Sequence, residues 1–174
     1  MNQYRDFDND PIRFSYTEGK TFLSNLHASG RHYIPIIDSA IYVPNPQNAS
    51  DKFVSFSSQG ECLTLTSSVS YTTFNNGNDT GSFMLNPDGS IYIGEVWPGY
   101  TVFPDWISGG AGPWWTNEMT NWHSKLSFDG AWIDMNEVSS FCLGSCGSQN
   151  ITMNPVHPGF QLPGEPGSVS VCVT

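Results

Sequence analysis

The stretch "FDGAWIDMNE", residues 128–137, decides the fold. From Phe128 to Ile133 it is aromatic and β-branched around Gly130, which predicts a buried strand. That strand runs directly into Asp134 and, three residues on, Glu137. Desolvating a carboxylate at the end of a buried strand is costly unless the group is paired, hydrogen-bonded or held for chemistry. Asp134 is therefore a candidate functional residue.

Working outward, the same pattern occurs once more. "EGKTFLSNLHAS", residues 18–29, puts Phe22, Leu23 and Leu26 on one face of a helix, with Gly30 where a C-terminal stop belongs. Tyr33, Ile34, Ile36 and Ile37 then form a near-continuous apolar run that ends on Asp38, as a buried parallel strand does. Pro35 weakens this strand, because it lacks the N–H that a central strand uses. "PWWTNEMTNWHSKL", residues 113–126, places Trp115, Met119, Trp122 and Leu126 on a helical stripe of core contacts, with Pro113 in the first turn. His32 and His123 read as satisfied or surface residues. Residues 44–82 read as a long irregular excursion, with "CLTLTSSVSYTTF" as its β-like piece. "NPDGS" at 86–90 is a turn, "IYIGEVW" a short strand, and the chain after Glu137 is read as loops.

Helices alternating with buried strands predict a parallel α/β architecture, in which working residues gather at the carboxyl ends of strands. Asp38 and Asp134 both stand there. A complete (β/α)8 TIM barrel needs about 250 residues, so the 174-residue chain is read as part of one.

Composition narrows the partner. With 16 acidic and 6 basic residues the net charge is −10, which disfavours a phosphate backbone or an anionic membrane and favours a neutral ligand. Six Trp, seven Tyr and eleven Phe supply flat rings that fill cores and also stack on sugars or bases. Asn48, Asn78 and Asn150 each open an N-x-[ST] sequon in a polar stretch expected to be surface loop, and together they point to the secretory pathway. The start, "MNQYRDFDND", has no apolar core of a signal peptide, so the chain is expected to begin part-way through a longer protein. In "FCLGSCGS" a disulfide between Cys142 and Cys146 could close a tight loop. The four His residues, at 27, 32, 123 and 157, lack paired ligand spacing, so neither a metal nor another cofactor is expected.

A strand-end acid beside Trp132, Met135 and Phe141 has the makings of a sugar subsite, with stacking faces and a carboxylate. Retaining glycosidases set a nucleophilic carboxylate about 5–5.5 Å from an acid/base carboxyl group. The stretch "FDGAWIDMNEVSSF" resembles the signature of glycoside hydrolase family 31, the α-glucosidase family. "YRDFDNDP", "YIPIIDSAIY", "IYIGEVWPGYTVFPDW", "PWWTNEM" and "NPVHPGFQLPGEPG" are similar, in the same order, to segments of fungal secreted members.

The resemblance implies that residues 1–174 are a fragment of one catalytic barrel. It further implies hydrolysis of terminal, non-reducing α-linked glucose with retention, on an α-glucoside oligosaccharide or starch-derived substrate. Asp134 would be the nucleophile and Asp38 a contact to the bound glucose; Ile36, Trp97, Trp132, Met135 and Phe141 would line the subsite. Glu137 is set aside as the second carboxylate, because the family carries its acid/base on a later strand. The chain alone is accordingly expected to be nearly inactive unless another segment completes the barrel. Residues 52–70 and 169–174, carrying Cys62 and Cys172, have no recognised counterpart, and the last six form a divergent tail. A non-catalytic glycan-binding module and a truncated, inactive fragment remain the alternative readings.

Overall fold

The structure, a computed structural model, describes residues 5–43, 55–56, 62–63 and 71–141. Helix α1 spans Tyr16–Ala28, two residues earlier at its start than the apolar pattern suggested. The reason is a cap: the Ser15 hydroxyl accepts the Glu18 N–H at 3.2 Å and donates to the Glu18 carboxylate at 3.0 Å, at capping-box spacing. Gly30, at φ +73°, lets the chain leave the helix through a conformation that L side chains resist. Of the predicted apolar face only Leu23 is fully buried, while Phe22 is 60% exposed.

Strand β1 (Ile36–Asp38) pairs in parallel with β7 (Trp132–Asp134). Both predicted strands exist, but shortened. Pro35 lies just outside β1, and only its carbonyl serves the ladder, accepting the Trp132 N–H at 2.9 Å. The expectation of a buried strand through Ile133 is corrected. Phe128 is buried in the core, yet Trp132 and Ile133 are 60% and 62% exposed. Among the described residues the sheet has these two strands alone, and the far edges of both are unpaired.

Between β1 and α3 (Ala111–Lys125) lies an elaboration. Strands β2 (Ile41–Tyr42), β5 (Gly94–Val96) and β6 (Gly99–Val102) form an antiparallel sheet in the order β2-β6-β5, and β3 (Ser55–Phe56) pairs with β4 (Cys62–Leu63). Within the 44–82 excursion the structure forms a helix, α2 (Thr72–Asp79), where "SYTTF" had read as β-like. Long-range contacts hold it there. Glu118 of α3, buried, accepts from Thr73 Oγ1 at 3.0 Å and Asn76 Nδ2 at 2.6 Å, and Trp114 Nε1 donates to the Thr73 carbonyl at 3.1 Å. The predicted turn closes as expected, with Gly89 N–H on the Asn86 carbonyl and Gly89 at φ +86°.

The main core joins Leu23 of α1, Ile37 of β1, Ile41, Phe83 and Val102, and Trp114 and Trp122 of α3. The fully buried ridge of α3 is Ala111, Trp114, Glu118 and Trp122, rotated from the predicted stripe, so that Trp115 and Met119 are half-buried. A second, smaller core of Ala40, Tyr92, Val96 and Phe103 lies beneath the end of β7, with Met84, Met135 and Val138 packed on it.

Candidate active site

The β1/β7 register sets Ile36 beside Trp132, Ile37 beside Ile133, and Asp38 beside Asp134. Side chains alternate along a strand and neighbours in register share a face. The two acids therefore leave the carboxyl end of the pair on one face, on backbones about 4.8 Å apart, with Ile36 and Trp132 one step behind them. Ile37 points the other way, into the core, and is 2% exposed. Burial, and next the neighbouring Asp134 charge, pushes the Asp38 carboxyl above its ordinary range.

The segment after β7 is fastened at several points. Asp134 Oδ1 accepts the Met135 N–H at 2.7 Å, and the Met135 carbonyl accepts from the buried Ser39 hydroxyl at 2.9 Å. Met135 itself has φ +51°, a left-handed conformation that costs a non-glycine residue on the order of 1–3 kcal/mol. Its Sδ accepts from Trp97 Nε1 at 2.8 Å. Trp97, on the two-residue turn between β5 and β6, meets Phe141 edge to face, with ring centroids 5.3 Å apart. The Phe141 N–H reaches the Glu95 carbonyl at 2.8 Å, and the Glu95 N–H donates to Ser140 Oγ at 3.0 Å. This close return needs Gly94, where a Cβ would collide with the Phe103 ring and press on Ser140.

Of the residues singled out in the sequence, Asp38 and Asp134 stand side by side, as do Ile36 and Trp132, while Trp97, Met135 and Phe141 form a contacting cluster. The aromatic residues make an open rim rather than a wall, since Trp97, Trp132 and Phe141 are each about 60% exposed. Glu137 is exposed, and its carbonyl accepts the Ser139 N–H. Asn78 is exposed but sits in the last turn of α2 rather than in a loop. Asn48, Asn150, Cys142 and Cys146 lie outside the described residues, as does the 169–174 tail.

Three participants escaped the sequence reading. Asp6 is 2% exposed, and its Oδ1 has no hydrogen-bond partner among the described residues. Burial pushes its carboxyl well up, and the Asp38 charge adds to this. Ser39 follows Asp38 and is fully buried. At the opposite end of the strand pair, Asp129 accepts from the Tyr33 N–H and His27 Nε2, both at 2.8 Å, and from His32 Nδ1 at 3.1 Å. His123 Nε2 donates to the Phe128 carbonyl at 3.0 Å. A groove of about 580 Å³ runs beside β1, lined by Asp6, Phe22, Leu23, Ile36, Ile37 and Trp122 among others, and it does not include Asp134.

Residues 1–164 match the glycosyl hydrolases family 31 TIM-barrel domain. The chain belongs to glycoside hydrolase family 31. It is 54% identical to an α-glucosidase of Aspergillus niger over 97% of its own length, and 47% identical to glucoamylase 1 of Candida albicans over 93%. It spans about 15% of the length of each of these family 31 relatives. Among solved structures, the glucosidase II α subunit matches 81% of this chain and 13% of its own at TM-score 0.59 and 22% identity. A Bacteroides thetaiotaomicron family 31 α-glucosidase matches 83% of this chain and 20% of its own at TM-score 0.55 and 24% identity. These likenesses fix the fold as a sector of a (β/α)8 barrel. In this family 31 chain β1 and β7 are neighbouring barrel strands, and the β2-β6-β5 sheet elaborates the connection leaving the carboxyl end of β1, the face where barrel enzymes keep their sites.

Proposed function

We propose that the chain supplies the nucleophile and part of the glucose subsite of a retaining α-glucosidase that acts on terminal, non-reducing α-linked glucose. The observation that carries this is the placing of Asp38 and Asp134 side by side at the carboxyl ends of adjacent parallel strands. Asp134 attacks the anomeric carbon through Oδ2 as the glycosidic C–O bond breaks. The electron pair leaves on the departing oxygen, which takes a proton from a carboxylic acid that the family resemblance assigns to a later strand. Water, deprotonated by that same group, then cleaves the glycosyl ester from the opposite side, and two inversions give retention.

Asp38 binds hydroxyls of the glucose, and Ile36, Trp97, Trp132, Met135 and Phe141 form its apolar surround. Exposed rings with one apolar face and an acidic rim suit a neutral sugar. Residues 1–174 are part of one barrel domain, with 44–82 as an excursion and 169–174 as a divergent tail. The proton donor that the family resemblance assigns to a later strand contributes about 10²–10⁴-fold for a poor leaving group. Asn78, exposed within its sequon, supports a secreted or secretory-pathway glycoprotein.

Stereochemistry is the test, on the full-length protein. Proton NMR of the first sugar released from an aryl α-glucoside should show the α anomer, and Asp134→Asn should abolish release. First-formed β anomer would exclude the ester mechanism. Saturable glucose binding without release would favour a glycan-binding module instead.

A further inference from the structure

We infer that Ser39 is a positioning residue that selects which oxygen of Asp134 attacks the sugar, acting through the backbone of Met135. The inference rests on Asp134 being the nucleophile. Ser39 is fully buried at the end of β1 and reaches across to β7, its hydroxyl 2.9 Å from the Met135 carbonyl. The φ and ψ rotations of Met135, with φ at +51°, link that carbonyl, in the peptide to residue 136, to the preceding peptide plane, which carries the Met135 N–H. That preceding peptide turns with ψ of Asp134, and its N–H lies 2.7 Å from Asp134 Oδ1.

A non-glycine residue stays in this uncommon conformation only where its surroundings over-determine it. Three contacts do so here. Ser39 holds the carbonyl, Trp97 Nε1 holds the sulfur at 2.8 Å, and the side chain packs on the small core of Ala40, Tyr92, Val96 and Phe103. The side-chain contacts fix where Met135 sits; the Ser39 bond anchors the backbone on its far side, so that the preceding peptide cannot turn without moving Met135. With Oδ1 committed to an N–H, its lone pairs are drawn away from attack. The C–O bond to the sugar then forms at Oδ2, and Oδ1 becomes the ester carbonyl, whose hydrogen bond stabilises the carboxylate again when the ester is cleaved. Without Ser39 the backbone on the far side of Met135 is released, the preceding peptide turns more freely, Oδ1 loses its steady donor, and the carboxylate samples rotamers that aim neither oxygen.

The experiment compares wild type with Ser39→Ala, Ser39→Cys and Ser39→Thr in the full-length protein. Deuterium exchange is read by mass spectrometry on the peptide spanning Met135, and inactivation is followed with a ring-fluorinated α-glucosyl fluoride. Loss of the hydroxyl should speed exchange at Met135 about tenfold, the worth of one ordinary hydrogen bond. It should also slow covalent trapping ~10- to 100-fold, because a misplacement of about 1 Å costs up to ~10²-fold. The reagent concentration for half-maximal rate should stay within about threefold, as this bond acts on attack rather than on binding. Ser39→Thr keeps the hydroxyl and should restore the exchange rate. A residue that merely stabilised the fold would instead change reagent binding and the melting temperature together. Unchanged exchange in Ser39→Ala overturns the inference, and so does faster exchange with an unchanged trapping rate. Failure to label Asp134 in wild type would sink the nucleophile assignment, whereas the exchange measurement still decides whether Ser39 holds Met135.

Discussion

In the proposed site Asp38 would meet two demands: to stay near enough to Asp134 to share its field, and to remain polar enough to grip a sugar. Its raised carboxyl is also what a general acid would show, so leaving-group dependence separates the roles. If Asp38 binds hydroxyls, Asp38→Asn should lower kcat/KM by ~10- to 100-fold, the loss of one charge-assisted hydrogen bond, and equally for phenyl and dinitrophenyl glucosides. An acid would matter far less for the dinitrophenyl substrate. Asp6 makes a different prediction. Its carboxyl is raised in the folded state, so its contribution is fully present below the ordinary carboxylate range and is lost as pH rises through the raised value. Asp6→Asn, which cannot ionise, should flatten the fall in stability across that window in urea titrations; an unchanged pH profile would exclude burial of the acid. Asp38 and Asp134 were legible in sequence because each interrupts an apolar run. Asp6 was not, since "YRDFDNDP" carries no apolar run for it to interrupt and its burial comes from distant residues such as Tyr71, whose hydroxyl donates to the Asp6 carbonyl at 2.8 Å.

At the scale of elements, the opposite ends of the β1/β7 pair divide function from stability. Asp129 ties the end of α1 to the starts of both strands, and the Tyr33 N–H, then His32 and His27, hold its carboxyl well below the usual range. A lowered carboxyl contributes stability that is present above the ordinary carboxylate range and is lost as pH falls through the lowered value. Asp129→Asn should therefore be less stable than wild type near neutrality, with the two curves converging in strong acid; parallel melting temperatures down to low pH would contradict this. On the site side, Gly94→Ala should cost about 1–3 kcal/mol through the forced Cβ contact with Phe103. It should also loosen the 135–141 segment, measurable as faster exchange of the Phe141 N–H. Long, patterned elements were readable: α1, α3 and both barrel strands came from apolar periodicity. Helix α2 was not, because Thr, Asn and Gly are poor helix formers and the buried Glu118 contacts hold it. Nor were β2 and β6, at two and four residues, long enough to show alternation.

Over the whole molecule, the strand pair leaves Ile36, Trp132 and Ile133 uncovered, and both outer edges open, among the described residues. Such a face is incomplete by the ordinary rules of sheet burial, since parallel strands are covered on both sides. The groove beside β1 is lined in part by the uncovered Ile36 and by neither Asp38 nor Asp134. The architecture was readable because strand-end acids and alternating elements belong together in a barrel; the exposure of β7 was not, because pattern alone shows which side chains seek burial and not what covers them. The central claim is that the Asp134 carboxylate faces a glucose-sized site and bonds to the anomeric carbon. The most direct measurement is peptide mapping of the full-length protein after trapping with a ring-fluorinated α-glucosyl fluoride. One fluoroglucosyl group on Asp134, and none in Asp134→Asn, is the predicted result; a label on Asp38 or Glu137, or continued turnover of the reagent by Asp134→Asn, would contradict it.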